Sequence, residues 1–110
     1  MRTNKVLKKA KQGKRAVGCA LVFPSTDLVE LIGMVGMDFV YIDAEHGGFS
    51  PESIVDMCRV ADLNGVTPIG RAPNILPSTI GNLLDWGFMG VEGPHITTRD
   101  DAQQLADACY

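Results

Sequence analysis

No stretch of this 110-residue chain approaches the roughly 18 consecutive apolar residues that a membrane-crossing helix needs, so no membrane span is expected. The basic beginning is not followed by an apolar core segment, which argues against a secretory signal. No CxxC occurs. Cys19, Cys58 and Cys109 are odd in number and widely spaced, which fits neither a disulfide framework nor a zinc site and suits the cytoplasm. Neither GxGxxG nor GxxxxGK[ST] follows a strand, so dinucleotide and P-loop binding find no support. The acidic pair that a receiver domain would carry after its first strand is missing too. Internal repeats and low-complexity linkers are absent, and the length suits one domain with a real core.

What remains is an ordinary composition, 45% hydrophobic and 21% charged with a net charge of −3, unevenly distributed. Residues 1–15, MRTNKVLKKAKQGKR, hold seven of the ten basic residues and no acid, leaving three basic against thirteen acidic residues in the rest. A nucleic-acid arm would interleave aromatics for base stacking, and a transit peptide would be rich in serine; this segment has neither. It reads as a solvated helix with Val6, Leu7 and Ala10 as its apolar stripe.

Downstream, strands and helices alternate. AVGCALVF (16–23) is a short buried-strand pattern, and Pro24-Ser25-Thr26-Asp27 supplies capping oxygens and an acidic first turn. Leu28, Leu31, Ile32 and Val35 recur at helical spacing, with Gly36 as a stop. DFVYID (38–43) is the second strand. Ser50-Pro51 starts a helix with Ile54, Met57, Cys58 and Ala61 on its buried face, ending at Asn64-Gly65. TPIGRAP (67–73) is the third strand, and Pro77 opens a helix that turns Ile80, Leu83 and Leu84 inward despite Leu76, a poor cap. GVEGPHI (90–96) is a weaker fourth strand, followed by a helix capped by Thr97 or Thr98. A leading helix and four βα units imply a parallel α/β sheet with right-handed crossovers. Two architectures fit: an open doubly wound sheet, or part of a (β/α)8 barrel.

In parallel α/β folds, functional side chains gather where strands end and βα loops begin. The second strand exits into Asp43-Ala44-Glu45-His46 and the third into Gly70-Arg71, so an imidazole, two carboxylates and a guanidinium share one rim. Arg71 is a permanently charged fork suited to a carboxylate or an enolate oxygen. His46 titrates near neutrality and suits general acid–base work. Asp43 and Glu45 could orient that imidazole or hold metal-bound water, and Gly47-Gly48 would let backbone approach a ligand closely. An Arg–carboxylate pair across neighbouring strands can equally be purely structural.

GCALVFPSTDLVELIGMVGMDFVYIDAEHGGFSPESI, continued by PIGRAPN, NLLDWGFMGV and EGPHI, resembles the opening of the HpcH/HpaI aldolase/citrate lyase family. The specific elements are IDAEH, an Arg 25 positions after its His, and LLD-x-G with an Asp 39 positions after it. The resemblance implies the N-terminal half of a (β/α)8 TIM barrel of the phosphoenolpyruvate/pyruvate superfamily, with residues 1–110 as a partial domain. It implies a pyruvate aldolase that cleaves a 4-hydroxy-2-oxo acid to pyruvate and an aldehyde, acting in a homo-oligomer. His46 would be the proton acceptor, Arg71 would bind pyruvate and stabilise the enolate, and Asp85 would raise the basicity of His46. Asp85 lies late in its helix, which should run away from the rim, so it would reach a neighbouring subunit's His46 instead.

Relatives of this kind use a divalent metal (Mg, Mn, Co or Zn) whose Glu and Asp ligands correspond to positions beyond Tyr110, so no metal ligand is expected in this chain. Glu92 matches no ligand position and departs from a usually apolar strand. His95, after Pro94, reads as a rim or packing residue. The rival expectations are a non-catalytic half-barrel that binds an oxo acid or a partner chain, and a small doubly wound binding domain.

Overall fold

The computed structural model describes residues 2–110. Helix α1 (Lys5–Lys11) precedes four strand–helix units: β1 (Gly18–Leu21) and α2 (Thr26–Met34), β2 (Phe39–Asp43) and α3 (Pro51–Leu63), β3 (Thr67–Arg71) and α4 (Pro77–Trp86), β4 (Gly90–Glu92) and α5 (Arg99–Ala108). The strands lie in the order β1-β2-β3-β4, each parallel to its neighbour. Sequential order with crossovers of one hand puts all the crossover helices on one face of the sheet. A doubly wound sheet would instead reverse direction from a central strand. That alternative falls, and the sheet forms four successive staves of a barrel wall.

Side-chain alternation sorts the two faces. Val40 and Ile42 of β2 are fully buried against the helices, together with Val29 and Ile32 of α2, Ile54, Met57 and Ala61 of α3, and Ile80 and Leu83 of α4. The register places Cys19 beside Val40 and Gly70 beside Ile42 on that same face. The opposite face carries Phe39, Tyr41, Asp43, Ile69, Arg71 and Glu92, and no helix lies over it. Gly70 is required where it stands: a β-carbon there would sit 2.7 Å from the Phe88 ring, which is buried between sheet and helices.

Helix starts follow the expected caps. Ser25, Ser50 and Thr98 each accept a backbone N–H in the first turn, while Leu76 provides no side-chain cap. All four strands are shorter than the pattern suggested, the first and the fourth most of all. At the first, the Val17 N–H is taken by the Asp38 carboxylate at 2.9 Å, so the β1 ladder begins only at Gly18. Val22 and Phe23 have already left the sheet and are exposed. At the fourth, Pro94 has no N–H to donate and His95 takes a left-handed backbone with φ 52°, so β4 stops at Glu92. Cys19 is only half-buried.

The basic lead helix has a structural task, at the end of the sheet where the strands begin. Its Asn4 cap donates to the Met89 carbonyl at 3.1 Å, the Lys5 N–H to Thr67 Oγ1 at 2.9 Å, and Lys9 Nζ to Asp38 Oδ2 at 2.8 Å. Lys9 lowers the Asp38 pKa, helped by the Val17 N–H and opposed by burial. The supposed apolar stripe contributes little, since Leu7 and Ala10 are exposed; α1 is held by polar contacts.

Candidate active site at the strand exits

The exits of β2, β3 and β4 are zipped together beyond the strands proper. The Ala44 N–H donates to the Arg71 carbonyl at 3.1 Å and the Ala72 N–H to the Glu92 carbonyl at 2.9 Å. Asp43, Arg71 and Glu92 are register partners, so their side chains stand in one row on the uncovered face. Directly below Asp43, two residues earlier, is Tyr41.

Asp43 organises the row. Its buried carboxylate accepts from four donors: Arg71 Nε at 3.1 Å, Arg71 Nη2, the Glu45 N–H at 3.1 Å and the His46 N–H at 3.0 Å. The Arg71 guanidinium above all, then the two backbone donors, hold its pKa down at about 2 against the opposing effect of burial. Asp43 in turn raises the pKa of Arg71. One carboxylate thereby fixes both the guanidinium and the turn that carries Glu45 and His46. Through these contacts, three on Oδ1 and one on Oδ2, Asp43 orients its neighbours.

His46 stands over this pair and is largely exposed. Its Nδ1 lies 2.7 Å from Arg71 Nη2, 3.3 Å from Glu45 Oε1 and 3.8 Å from Asp43 Oδ2. Glu45, mostly covered, also lies 3.7 Å from Arg71 Nε and, through Oε2, 3.5 Å from His95 Nε2. Four of the five residues expected in the site, Asp43, Glu45, His46 and Arg71, therefore meet in one cluster. Asp85 does not join them. It is exposed near the end of α4, about 12 Å along the helix axis from Pro77, and no hydrogen bond or ion pair links it to His46.

The glycines after His46 serve the chain itself. The Gly47 N–H donates to the Asp43 carbonyl at 2.9 Å, and a β-carbon on Gly47 would collide with that carbonyl and with the Phe49 ring. Gly48 has open space around it.

Two features went unread in the sequence. Tyr41 faces Glu92, and burial first, then that carboxylate, pushes the phenol up to about 12. The strand period places Tyr41 on the face of Asp43 but says nothing of Glu92, since it relates only residues 39, 41 and 43. The second is the approach of His95, read only as a rim or packing residue, to Glu45 through its left-handed backbone. Among the described residues no group of three or more His, Cys, Asp or Glu side chains is arranged to hold a metal ion. The acidic and imidazole groups present are turned toward Arg71 and one another.

A one-sided parallel sheet with a guanidinium, an imidazole and carboxylates at its strand exits has the architecture of part of an α/β barrel with polar groups on its C-terminal rim. Comparison with known proteins agrees, although no family model matches the chain. It is 33% identical over 107 residues to a hydroxypyruvate/pyruvate aldolase of Rhizorhabdus wittichii, covering 97% of this chain and 43% of that protein. It is 32% identical over 109 residues to a 4-hydroxy-4-methyl-2-oxoglutarate aldolase of Hapsidospora irregularis, covering 96% and 40%. The crystal structure of an HpcH/HpaI aldolase from Desulfitobacterium hafniense superposes with a TM-score of 0.90 at 25% identity, over 97% of this chain and 42% of that one. Over its length the chain thus resembles HpcH/HpaI aldolases in sequence and fold, matching the N-terminal part of their barrel. The chain spans about two-fifths of the length of the curated relatives it matches.

Proposed function

We propose that this rim serves aldol chemistry on a 2-oxo acid, the reversible cleavage of a 4-hydroxy-2-oxo acid to pyruvate and an aldehyde. The observation that carries the reading is the 2.7 Å approach of the Arg71 guanidinium to the His46 imidazole at adjacent strand exits. Arg71 supplies a fixed fork of N–H donors for the carboxylate and 2-oxo oxygens of the substrate, where negative charge grows as the enolate forms. His46 takes the proton from the C4 hydroxyl. The C3–C4 bond then breaks, its electron pair passing into the pyruvate enolate while C4 leaves as the aldehyde carbon. Protonation of the enolate at C3 yields pyruvate. Asp43 holds Arg71 in place throughout.

The divalent metal implied by the family resemblance finds no ligand set among the described residues, and no step is routed through it. Asp85 can act on His46 only between copies of the chain, because within one copy the two do not meet. The alternative of a non-catalytic oxo-acid binder draws on the engagement of Arg71 by Asp43, which a purely structural pair would also show.

Release of pyruvate from 4-hydroxy-2-oxo acids, with Mg, Mn, Co or Zn supplied, separates the two readings. The expected result is pyruvate formation by the wild-type protein that falls at least 100-fold in His46→Ala and in Arg71→Ala, the loss that acid–base and oxyanion-type groups typically carry. Wild-type activity retained in either variant refutes the aldolase reading. Binding of pyruvate without turnover supports the non-catalytic one.

A further inference from the structure

Both flanks of the sheet are apolar and unpartnered. Helix α5 carries Ala102, Leu105, Ala106 and Cys109 at positions i, i+3, i+4 and i+7, one stripe along its length. That stripe does not face the neighbouring helix. Toward α4 the helix turns Asp100, Gln103, Gln104 and Asp107, which line a groove with Pro77, and Gln104 donates to the Ile75 carbonyl at 3.2 Å. No residue of α5 is buried: Ala102 and Ala106 are exposed, Leu105 and Cys109 half-buried. At the other flank, α2 meets α3 through Gly33, where a β-carbon would sit 2.7 Å from Asn64. The opposite side of α2 holds Leu28, Leu31 and Val35, the last two exposed.

These flanks border the two free strand edges. In a right-handed strand–helix–strand unit the helix lies over the groove between its own strand and the next. No strand follows β4, so α5 stands over a groove with one wall, and α1 leaves the flank of α2 uncovered. The edges suit each other: their strands run the same way, and small side chains on α5 answer large ones on α2. A half-turn about the barrel axis sets β1 of a second copy beside β4 of the first, parallel to it. The same half-turn sets the second copy's β4 beside the first copy's β1, so one two-fold operation satisfies both edges. Four staves and four staves make the eight at which a parallel wall closes around a filled interior.

We propose that this chain pairs with a second copy of itself into a closed eight-stranded barrel, joined twice by β4 of one copy against β1 of the other. At each joint α5 covers the seam, and Leu31 and Val35 of the other copy seat against its small residues Ala102 and Ala106. Phe39, Tyr41 and Ile69 of both copies turn into the shared interior. The two His46–Arg71 clusters come to one rim around one mouth, so each site gains the wall it lacks alone. This geometry does not depend on the aldolase reading given above.

Sedimentation equilibrium of the 110-residue chain reads the stoichiometry, and a cross-link reads the joint. The mass should level at twice 11.8 kDa as concentration rises. Val35 and Cys109 each end their helix, and both helices run back from the rim, so the two residues stand at one height across the seam. Mild oxidation of Val35→Cys, a change at an exposed position, should therefore link two chains through Cys109. A ring closed twice stops at two chains, and the link should vanish when Cys109→Ser is added. Ala106→Glu, also exposed, should raise the dissociation constant of the dimer about 10-fold or more, since it forces a carboxylate into an apolar seam. A single-chain mass at every concentration overturns the proposal, because something other than a second copy then covers the face. So does a mass that climbs past two chains or an oxidised ladder, the mark of an open stack. A dimer that Val35→Cys fails to link, or links without Cys109, or that Ala106→Glu leaves unchanged, overturns it too. Failure to release pyruvate would end the aldolase reading and leave these outcomes unaffected.

Discussion

At the scale of single residues, the Asp43–Arg71 pair links the site to stability. A carboxyl whose pKa is lower folded than unfolded stabilises fully above its unfolded value, and the contribution is lost as pH falls through the folded one. For Asp43 the window runs from its ordinary value near 3.8 down to about 2. The contribution at neutral pH is roughly 2 kcal/mol. Asp38 is shifted in the same direction by Lys9 and adds to the loss in acid. Denaturant midpoints at pH 7, 4 and 2.5 should therefore fall most steeply in the last interval, and the fall should be shallower in Asp43→Asn. Arg71→Met leaves a buried carboxylate without its guanidinium, at a cost in stability at pH 7. That cost should shrink at pH 2.5, because protonation relieves the orphaned charge; an equal cost at both values would mean that Asp43 stays charged by other means.

At the scale of elements, alternation of strand and helix was legible because α2, α3 and α4 carry an apolar face at their own period and the strands are short apolar stretches between turn residues. The Ser50 cap and the buried face Ile54, Met57, Cys58 and Ala61 follow that reading residue by residue. Strand ends were not legible. Asp38 intercepts the Val17 N–H from 21 residues away, and His95 adopts a backbone that its side chain does not advertise. The meeting of His46 with Arg71 was readable because neighbouring parallel strands must exit side by side. The Tyr41–Glu92 approach required knowing that β4 lies next to β3 with Glu92 opposite Arg71. Gly70 shows how an element sets the site: its missing β-carbon lets Phe88 close against β3 just before Arg71. Gly70→Ala should cost about 1–3 kcal/mol by overpacking and displace Arg71. Adding Phe88→Leu should recover part of the loss in chemical denaturation; additive losses would mean that Phe88 is not the obstacle.

At the scale of the whole molecule, the sheet has two ends. In an eight-stranded barrel each strand has two neighbours and no edge remains. Here β1 and β4 each pair on one side only, and the face bearing Phe39, Tyr41 and Ile69 has no layer above it. The flank beside β1 is apolar as well, with Phe23 52% exposed, Leu31 50%, Met34 73% and Val35 60%. Unpaired parallel edges template further pairing, and a contiguous apolar flank adds a driving force that net charge −3 opposes only weakly. The 110-residue polypeptide studied alone should thus self-associate, with a weight-average mass that rises above 11.8 kDa with concentration in sedimentation equilibrium. Met34→Lys and Val35→Glu lie outside the site cluster and leave the helix period intact, so they should weaken association without lowering the thermal midpoint. A monomer at every concentration would show that the edges are covered by the chain's own segments in solution. Association unchanged by both substitutions would move its origin from the α2 flank to the strand edges, where Ala20→Pro on β1 should then abolish it.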